Sequence, residues 1–212
     1  MGAYLHQDTT PTMDSNPSPW SVDEVESIER ALSTERFERY LSTASSKSEA
    51  LQRYAWNTAL ASAFHGPIQC LEVGLRNTVH SRLSVTHGPS WFHDTSVLRR
   101  RELETAQRAR DRVIQTGKPV TPGRIVAELS LGFWVGLFAN VYDSSIWRTD
   151  LYRLFLPLPP RSELHDDLDR LRTLRNRIAH HEPITQRRLL DDYTRVRRVT
   201  RSFSPELCAW ME

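Results

Sequence analysis

The 212-residue sequence predicts an all-α fold. Apolar residues recur at three- and four-residue spacing through most of the chain, the period of a half-buried helix. No segment alternates apolar and polar residues between turn dipeptides, as a sheet would require. Hydrophobic residues make up 39% and charged residues 25%, a balance that supports a folded core and argues against wholesale disorder.

Residues 1–20 are rich in Pro, Ser, Thr and Asp, show no period and read as a flexible tail. Residues 21–212 then read as a single helical domain. "SVDEVESIERAL" opens on Ser21 with acids in its first turns, a good helix start. "STERFERYL" is a second short amphipathic piece with Phe37, Tyr40 and Leu41. From Ser48 a long pattern places Trp56, Leu60, Ala63 and Phe64 on one face, and Gly66-Pro67 is expected to break or kink it. The period resumes with Ile68, Leu71, Leu75, Val79 and Leu83. "GPSWF" reads as a loop, and a third long helix follows with Leu103, Ala106, Val113 and Ile114 inward. Thr121 and Pro122 begin another helix, expected to run into the apolar "LSLGFWVGLFANVY" and to form the centre of the core. "SSIWRTDLYRLFLPLPP" reads as a shorter helix stopped by prolines, and two more helical stretches follow it.

Several function classes fall away on composition. The net charge of +2 is nearly neutral, so bulk electrostatics alone neither require nor exclude a nucleic-acid partner. Of 28 basic residues only Lys47 and Lys118 are lysines, leaving 26 arginines, whose planar fork suits phosphate. A GC-rich genome produces the same bias without functional cause. Cys70 and Cys208 fit neither a disulfide framework nor a metal knuckle, and Cys70 reads as a small core residue. No metal or cofactor is expected. Residues 129–142, the most apolar run, fall short of the roughly 20 residues that span a bilayer. With no secretory signal either, the expected location is the cytoplasm, with no membrane partner.

The chemistry concentrates in "RNRIAHHEPI", residues 175–184. On a wheel at about 100° per residue, Leu164, Leu168, Leu171, Leu174 and Ile178 form one stripe, and Arg175 falls inside it. An arginine among leucines needs a carboxylate, a carbonyl or a phosphate. A buried ion pair or a snorkelled side chain satisfies it as well as a ligand does. Asn176 and His180 stack on the opposite side, and Pro183 is expected to end the helix at Glu182. The negative helix end favours a cationic imidazole there, and histidine is the side chain that switches charge near neutral pH. His180 and His181 are therefore candidate acid–base groups, set against the simpler reading of a helix-end contact to carbonyls.

These residues resemble the R-x4-6-H signature of the HEPN superfamily, in which a polar residue, often Asn, follows the arginine. The ordered stretches "LSTERFERYL", "YAWNTALASAFHGPIQCLEVGLRNTVHSRL", "WF", "AELSLGFWVGLF" and "LRNRIAHHEPI", across roughly residues 30–185, resemble its Abi-like (abortive-infection) branch. The resemblance implies a HEPN-like helical bundle with additional N- and C-terminal helices, and a metal-independent endoribonuclease acting as a homodimer with a composite site. It assigns Arg175, Asn176 and His180 to catalysis: Arg175 on the scissile phosphate, His180 as general acid or base, Asn176 orienting the histidine or a phosphate oxygen. RNA would be the substrate, with 2′,3′-cyclic phosphate and 5′-hydroxyl products. A phage-defence or toxin-type role leaves a place for an antitoxin or other inhibitory partner. One related toxin group carries a modifiable tyrosine two residues after the histidine; Glu182 stands there in this chain, which argues against that control.

His181, Arg177, Arg76 and Asn77 are candidate supporting or RNA-binding residues. In "EVGLRNTVH", Glu72, Arg76 and His80 share a helix face, and Glu72–Arg76 reads most simply as an i,i+4 ion pair. "RRLLDDYTRVRRVTR" carries six arginines that suit either an RNA backbone or a solvated face. The competing readings are a non-catalytic RNA- or nucleotide-binding HEPN module that acts through a partner, and a helical interaction protein whose motif is only a packed helix end.

Overall fold

The structure, a computed structural model, describes residues 19–212. Among these residues no strand forms, so the fold is all-α. The tail expected over 1–20 falls outside the described residues up to position 18, while Trp20 packs against the smaller of two hydrophobic cores. Where the sequence reads as one domain over 21–212, the structure divides into two compact units, one ending at Trp56 and the other Asn57–Glu212. The division lies inside a helix, α3, whose uninterrupted period carries no linker signal.

The first unit holds α1 (Val22–Leu32) and α2 (Thr34–Leu41). Ser21 closes a capping box, its hydroxyl accepting from the Glu24 amide while the Glu24 carboxylate accepts from the Ser21 amide. Val25, Phe37, Tyr40, Ala50 and Leu51 form the core of this unit.

Helix α3 (Lys47–His87) runs unbroken through Pro67, against the expected break. Phe64, Ile68 and Leu71 are buried on either side of it, and that packing outweighs the roughly 3 kcal/mol of a mid-helix proline. The buried face passes through Asn57, Phe64, Ile68, Leu71, Leu75, Val79 and Leu83, which leaves Trp56 62% exposed and Ala63 outward. The expected inward placement of those two is thereby corrected, while Phe64 and the partly buried Leu60 lie on the core face as expected. Helix α4 (Arg100–Gln115) buries Ala106, Ala109 and Val113 but exposes Ile114.

The apolar segment forms the core centre as expected, though not as one helix. Helix α5 (Pro122–Glu128) stops at an extended Leu129, and α6 (Leu131–Gly136) begins after it. Phe133 and Trp134 meet Trp91, with ring centroids 6.2 and 6.1 Å away. The shorter helix expected over "SSIWRTDLYRLFLPLPP", residues 144–160, does not form; residues 140–154 make 3-10 and π turns instead. Arg161 collects this segment, donating to Asp143 Oδ1, the Phe138 carbonyl and Asn140 Oδ1 at 3.0, 2.6 and 2.9 Å. Asp150, fully buried, accepts from Thr86 (2.6 Å), Thr149 (2.8 Å) and His87 (3.2 Å). That cluster ties the turns to the end of α3.

Helices α7 (Arg161–Ala179), α8 (Leu189–Phe203) and α9 (Pro205–Met211) complete the unit. A Cβ on Gly74 would lie 2.5 Å from Leu207 Cδ2 and 2.9 Å from the Phe203 ring, so the bare glycine lets α8 and α9 approach α3. No helix among the described residues is long and apolar enough to cross a membrane.

Burial pushes the Asp150 carboxyl up, but the bonds from Thr86, Thr149 and His87 outweigh it and hold the carboxyl below its ordinary value. Its contribution to stability is complete above the usual aspartate range and is lost as pH falls through the lowered value. Asp150→Ala strands these donors and is expected to cost about 3 kcal/mol, read as a lower urea midpoint at neutral pH. The difference from wild type should shrink in acid.

Candidate functional site

Helix α7 buries Leu164, Leu168, Leu171 and Leu174, as the wheel requires, with Ile178 half-buried at the same seam. Two contacts join this end of the chain to α3. Arg175 Nε donates to Glu72 Oε2 at 3.2 Å, and the Ile184 amide donates to Asn57 Oδ1 at 2.7 Å. Residue numbers rise along one partner as they fall along the other, so α7 and the turn after it run antiparallel to α3.

The Glu72 pairing answers the question posed by an arginine among leucines and corrects the expected i,i+4 pair. Glu72 takes Arg175, 103 residues away, rather than Arg76. Only Nε of Arg175 is engaged among the described residues; its two terminal nitrogens donate to no protein atom, and the side chain is 37% exposed. Arg76, one turn along α3 from Glu72, has no acidic partner among the described residues and donates to Asn77 Oδ1 at 3.4 Å. Glu72 of the "EVGLRN" segment therefore faces the motif helix, while the Arg76 guanidinium turns to its neighbour Asn77. His80 has another task. Its Nδ1 accepts the Trp91 indole N–H at 3.1 Å, which selects the Nε2-protonated tautomer, and burial holds its pKa below the ordinary histidine value.

The helix ends earlier than the proline predicts. Ala179 is its last residue, and His181 adopts a left-handed conformation with φ 56°. The Glu182 amide bonds the Arg177 carbonyl at 2.8 Å and the His181 amide bonds that of Ile178 at 3.1 Å. This is the Schellman arrangement, with a histidine where glycine is usual. The chain has already reversed before Pro183. Arg177, a candidate RNA ligand, braces the turn: it donates to the Pro183 carbonyl at 3.2 Å and lies 3.7 Å from Glu182.

His180 and His181 are exposed, and neither side chain has a protein partner among the described residues. Asn176 is half-buried one turn before His180. Five helical steps separate Arg175 from His180, about 140° of rotation. The two therefore point to different sides of their own helix, Arg175 toward α3 and His180 toward open space.

The arginine-rich α8 is largely self-neutralised. Buried Asp192 binds Arg187 (2.8 Å) and Arg195 (3.3 Å), and buried Asp167 binds Arg195 (3.4 Å) and Arg198. Arg197 and Arg201 turn to Glu212, at 2.6 and 3.7 Å, which leaves Arg188 as the member of the six without an acid among the described residues. A cavity of about 460 Å³ lies between the 156–159 strap, α7 and α8, and none of the motif residues lines it. Among the described residues no three His, Cys, Asp or Glu side chains gather to hold a metal ion.

Asn57 was not legible as a site residue, yet it fixes the turn that presents both histidines. Asn57→Ala leaves the Ile184 amide buried and unpaired, at an expected cost of about 1–3 kcal/mol. Faster hydrogen exchange at Ile184, with little change in the first unit, is the expected signature. No family model matches this chain, and neither a curated protein nor a solved structure shows significant similarity to it.

Proposed function

We propose that this chain is a metal-independent endoribonuclease of the HEPN/Abi type, working as a homodimer in phage defence or as a toxin-type protein. The observation that carries the reading is the state of Arg175. Its guanidinium is gripped at Nε by Glu72 while both terminal nitrogens stay unsatisfied at a half-open position. A phosphate presents the paired oxygens that this fork lacks. His180, exposed at a helix end and turned from its own core, supports the reading as the acid–base group.

In this mechanism Arg175 binds the non-bridging oxygens of the scissile phosphate and offsets the charge that grows on them. His180 takes the proton of the ribose 2′-hydroxyl, whose oxygen attacks phosphorus. The 5′ oxygen leaves and is protonated, by the second His180 of the dimer or by water, giving a 2′,3′-cyclic phosphate and a 5′-hydroxyl. Asn176, one turn from His180, orients the imidazole or a phosphate oxygen. Because Arg175 and His180 diverge by about 140° on one helix, the account pairs Arg175 of one protomer with His180 of the other. Arg76 adds a second cation beside the phosphate.

A second reading has its own support. Among the described residues the His180 imidazole has no protein partner to set its tautomer, and an RNA- or nucleotide-binding module acting through another protein requires none. Total RNA incubated in excess EDTA separates the two. Wild-type cleavage that persists in chelator and falls about 100-fold or more in both Arg175→Ala and His180→Ala is expected. Salt-sensitive binding without scission favours the module, and equal cleavage by all three proteins contradicts the nuclease.

A further inference from the structure

A polar cavity of about 330 Å³ opens between α4, α6 and α7, at the small end of the range for ligand sites, about 300–1,000 Å³. Arg101, Glu102, His165, Asp169 and Arg172 supply its charged and titratable lining. Asp169 and Arg172 satisfy each other, with Nε and a terminal nitrogen 2.9 and 2.7 Å from one carboxylate oxygen. The remaining two charges do not. Arg101 has no acidic partner among the described residues, and Glu102 has no cationic one.

Glu102 is nevertheless held in place. Its Oε2 accepts the Tyr142 hydroxyl at 2.6 Å, and that phenol, almost fully buried, accepts the Arg99 amide at 2.9 Å. Burial and the neighbouring carboxylate push the Tyr142 phenol up, so it remains a donor at neutral pH. Oε1 faces the bare backbone of α6, where a Cβ on Gly136 would lie 3.7 Å from it. Gly132, one turn earlier, also lines the cavity, so the α6 wall has no side chain at either position. An oriented carboxylate with one oxygen free, against bare backbone at Gly132 and Gly136 and next in sequence to a guanidinium without an acidic partner among the described residues, leaves polar capacity for a ligand.

The cavity also lies in register with the proposed cleavage site. His165, Asp169, Arg172, Asn176 and His180 follow at steps of four, three, four and four, within an arc of about 80° on α7. Arg172 to Asn176 is about 6 Å along the axis, and His180 about 6 Å beyond. A strand held at His180 would pass the cavity within one or two nucleotides.

We propose that this cavity binds a guanine nucleotide of the RNA strand beside the cleaved linkage. Guanine is the standard base with an imino and an amino N–H side by side on one edge; the free Oε1 of Glu102 matches one of them, and the remaining lone pair of Oε2, beside the Tyr142 bond, matches the other. Arg101 then takes the phosphate of the same nucleotide. The inference rests on the ribonuclease reading for the course of the strand, whereas the chemistry of the cavity stands on its own contacts.

Calorimetric titration of the full chain with GMP, AMP, CMP, UMP and guanosine tests it without any cleavage step. GMP is expected to bind at least tenfold more tightly than the other nucleotides, and Glu102→Gln is expected to erase that preference. Arg101→Ala, an exposed residue with no partner to lose, should weaken GMP about tenfold and leave guanosine unchanged. Equal binding of all four nucleotides, no binding, or a guanine preference that survives Glu102→Gln overturns the proposal. A chain that selects GMP but cuts no RNA overturns the nuclease reading and leaves this one standing; one that cuts RNA with no guanine preference does the reverse.

Discussion

The ion pair between Arg175 and Glu72 is the constraint on which the reading of the site depends. It joins a motif near the end of α7 to a segment of α3 that lies 103 residues earlier. Partly exposed pairs of this kind contribute only about 0–1 kcal/mol to stability. Its consequence is therefore positional. Glu72 takes one edge of the guanidinium and turns the other outward. The leucine stripe of α7 brings the arginine to the seam, and the carboxylate of α3 keeps it there in a defined orientation.

The second anchor is polar and buried. Asn57 accepts the amide of Ile184, a residue with no exposed surface, and so fixes the turn that follows α7. The left-handed His181 reverses the chain between these anchors. His180 is left at the tip of a braced turn, outside the core, and its orientation relative to Arg175 is set by backbone geometry. That divergence makes a second copy of the chain part of the proposed mechanism.

Much of the helical architecture was legible in the sequence, because period is local. The leucines of α7, the capping box at Ser21 and the burial of the 129–142 run all follow from spacing and composition. The errors share a cause as well. A period identifies a face only to within about one residue, so Trp56 and Ile114 were placed inward although their neighbours are buried. Pro67 and Pro183 were read by local propensity; packing carries α3 through the first, and a left-handed histidine ends α7 before the second. Glu72, Asn57 and Thr86, which hold Arg175, Ile184 and Asp150, lie more than 60 residues from them and leave no trace in local spacing. Of the candidate site, the residue types in "RNRIAHH" were readable, while the capture of Arg175 by Glu72, the bracing role of Arg177 and the support from Asn57 were not.

The arginine excess is likewise resolved by structure. Most arginines of α8 are matched to Asp167, Asp192 and Glu212, so their number is no measure of affinity for RNA. Arg76 and Arg101 differ in having no acidic partner among the described residues, and Arg175 in being held by Glu72 through Nε alone at the motif. The most direct test of the account is complementation between two inactive chains. Arg175→Ala and His180→Ala proteins, unfolded together and refolded as a mixture, should recover about a quarter of wild-type cleavage: half of the dimers are mixed and each carries one intact pair across its twofold axis. A mixture as inactive as its components would contradict a site built from the arginine of one protomer and the histidine of its partner.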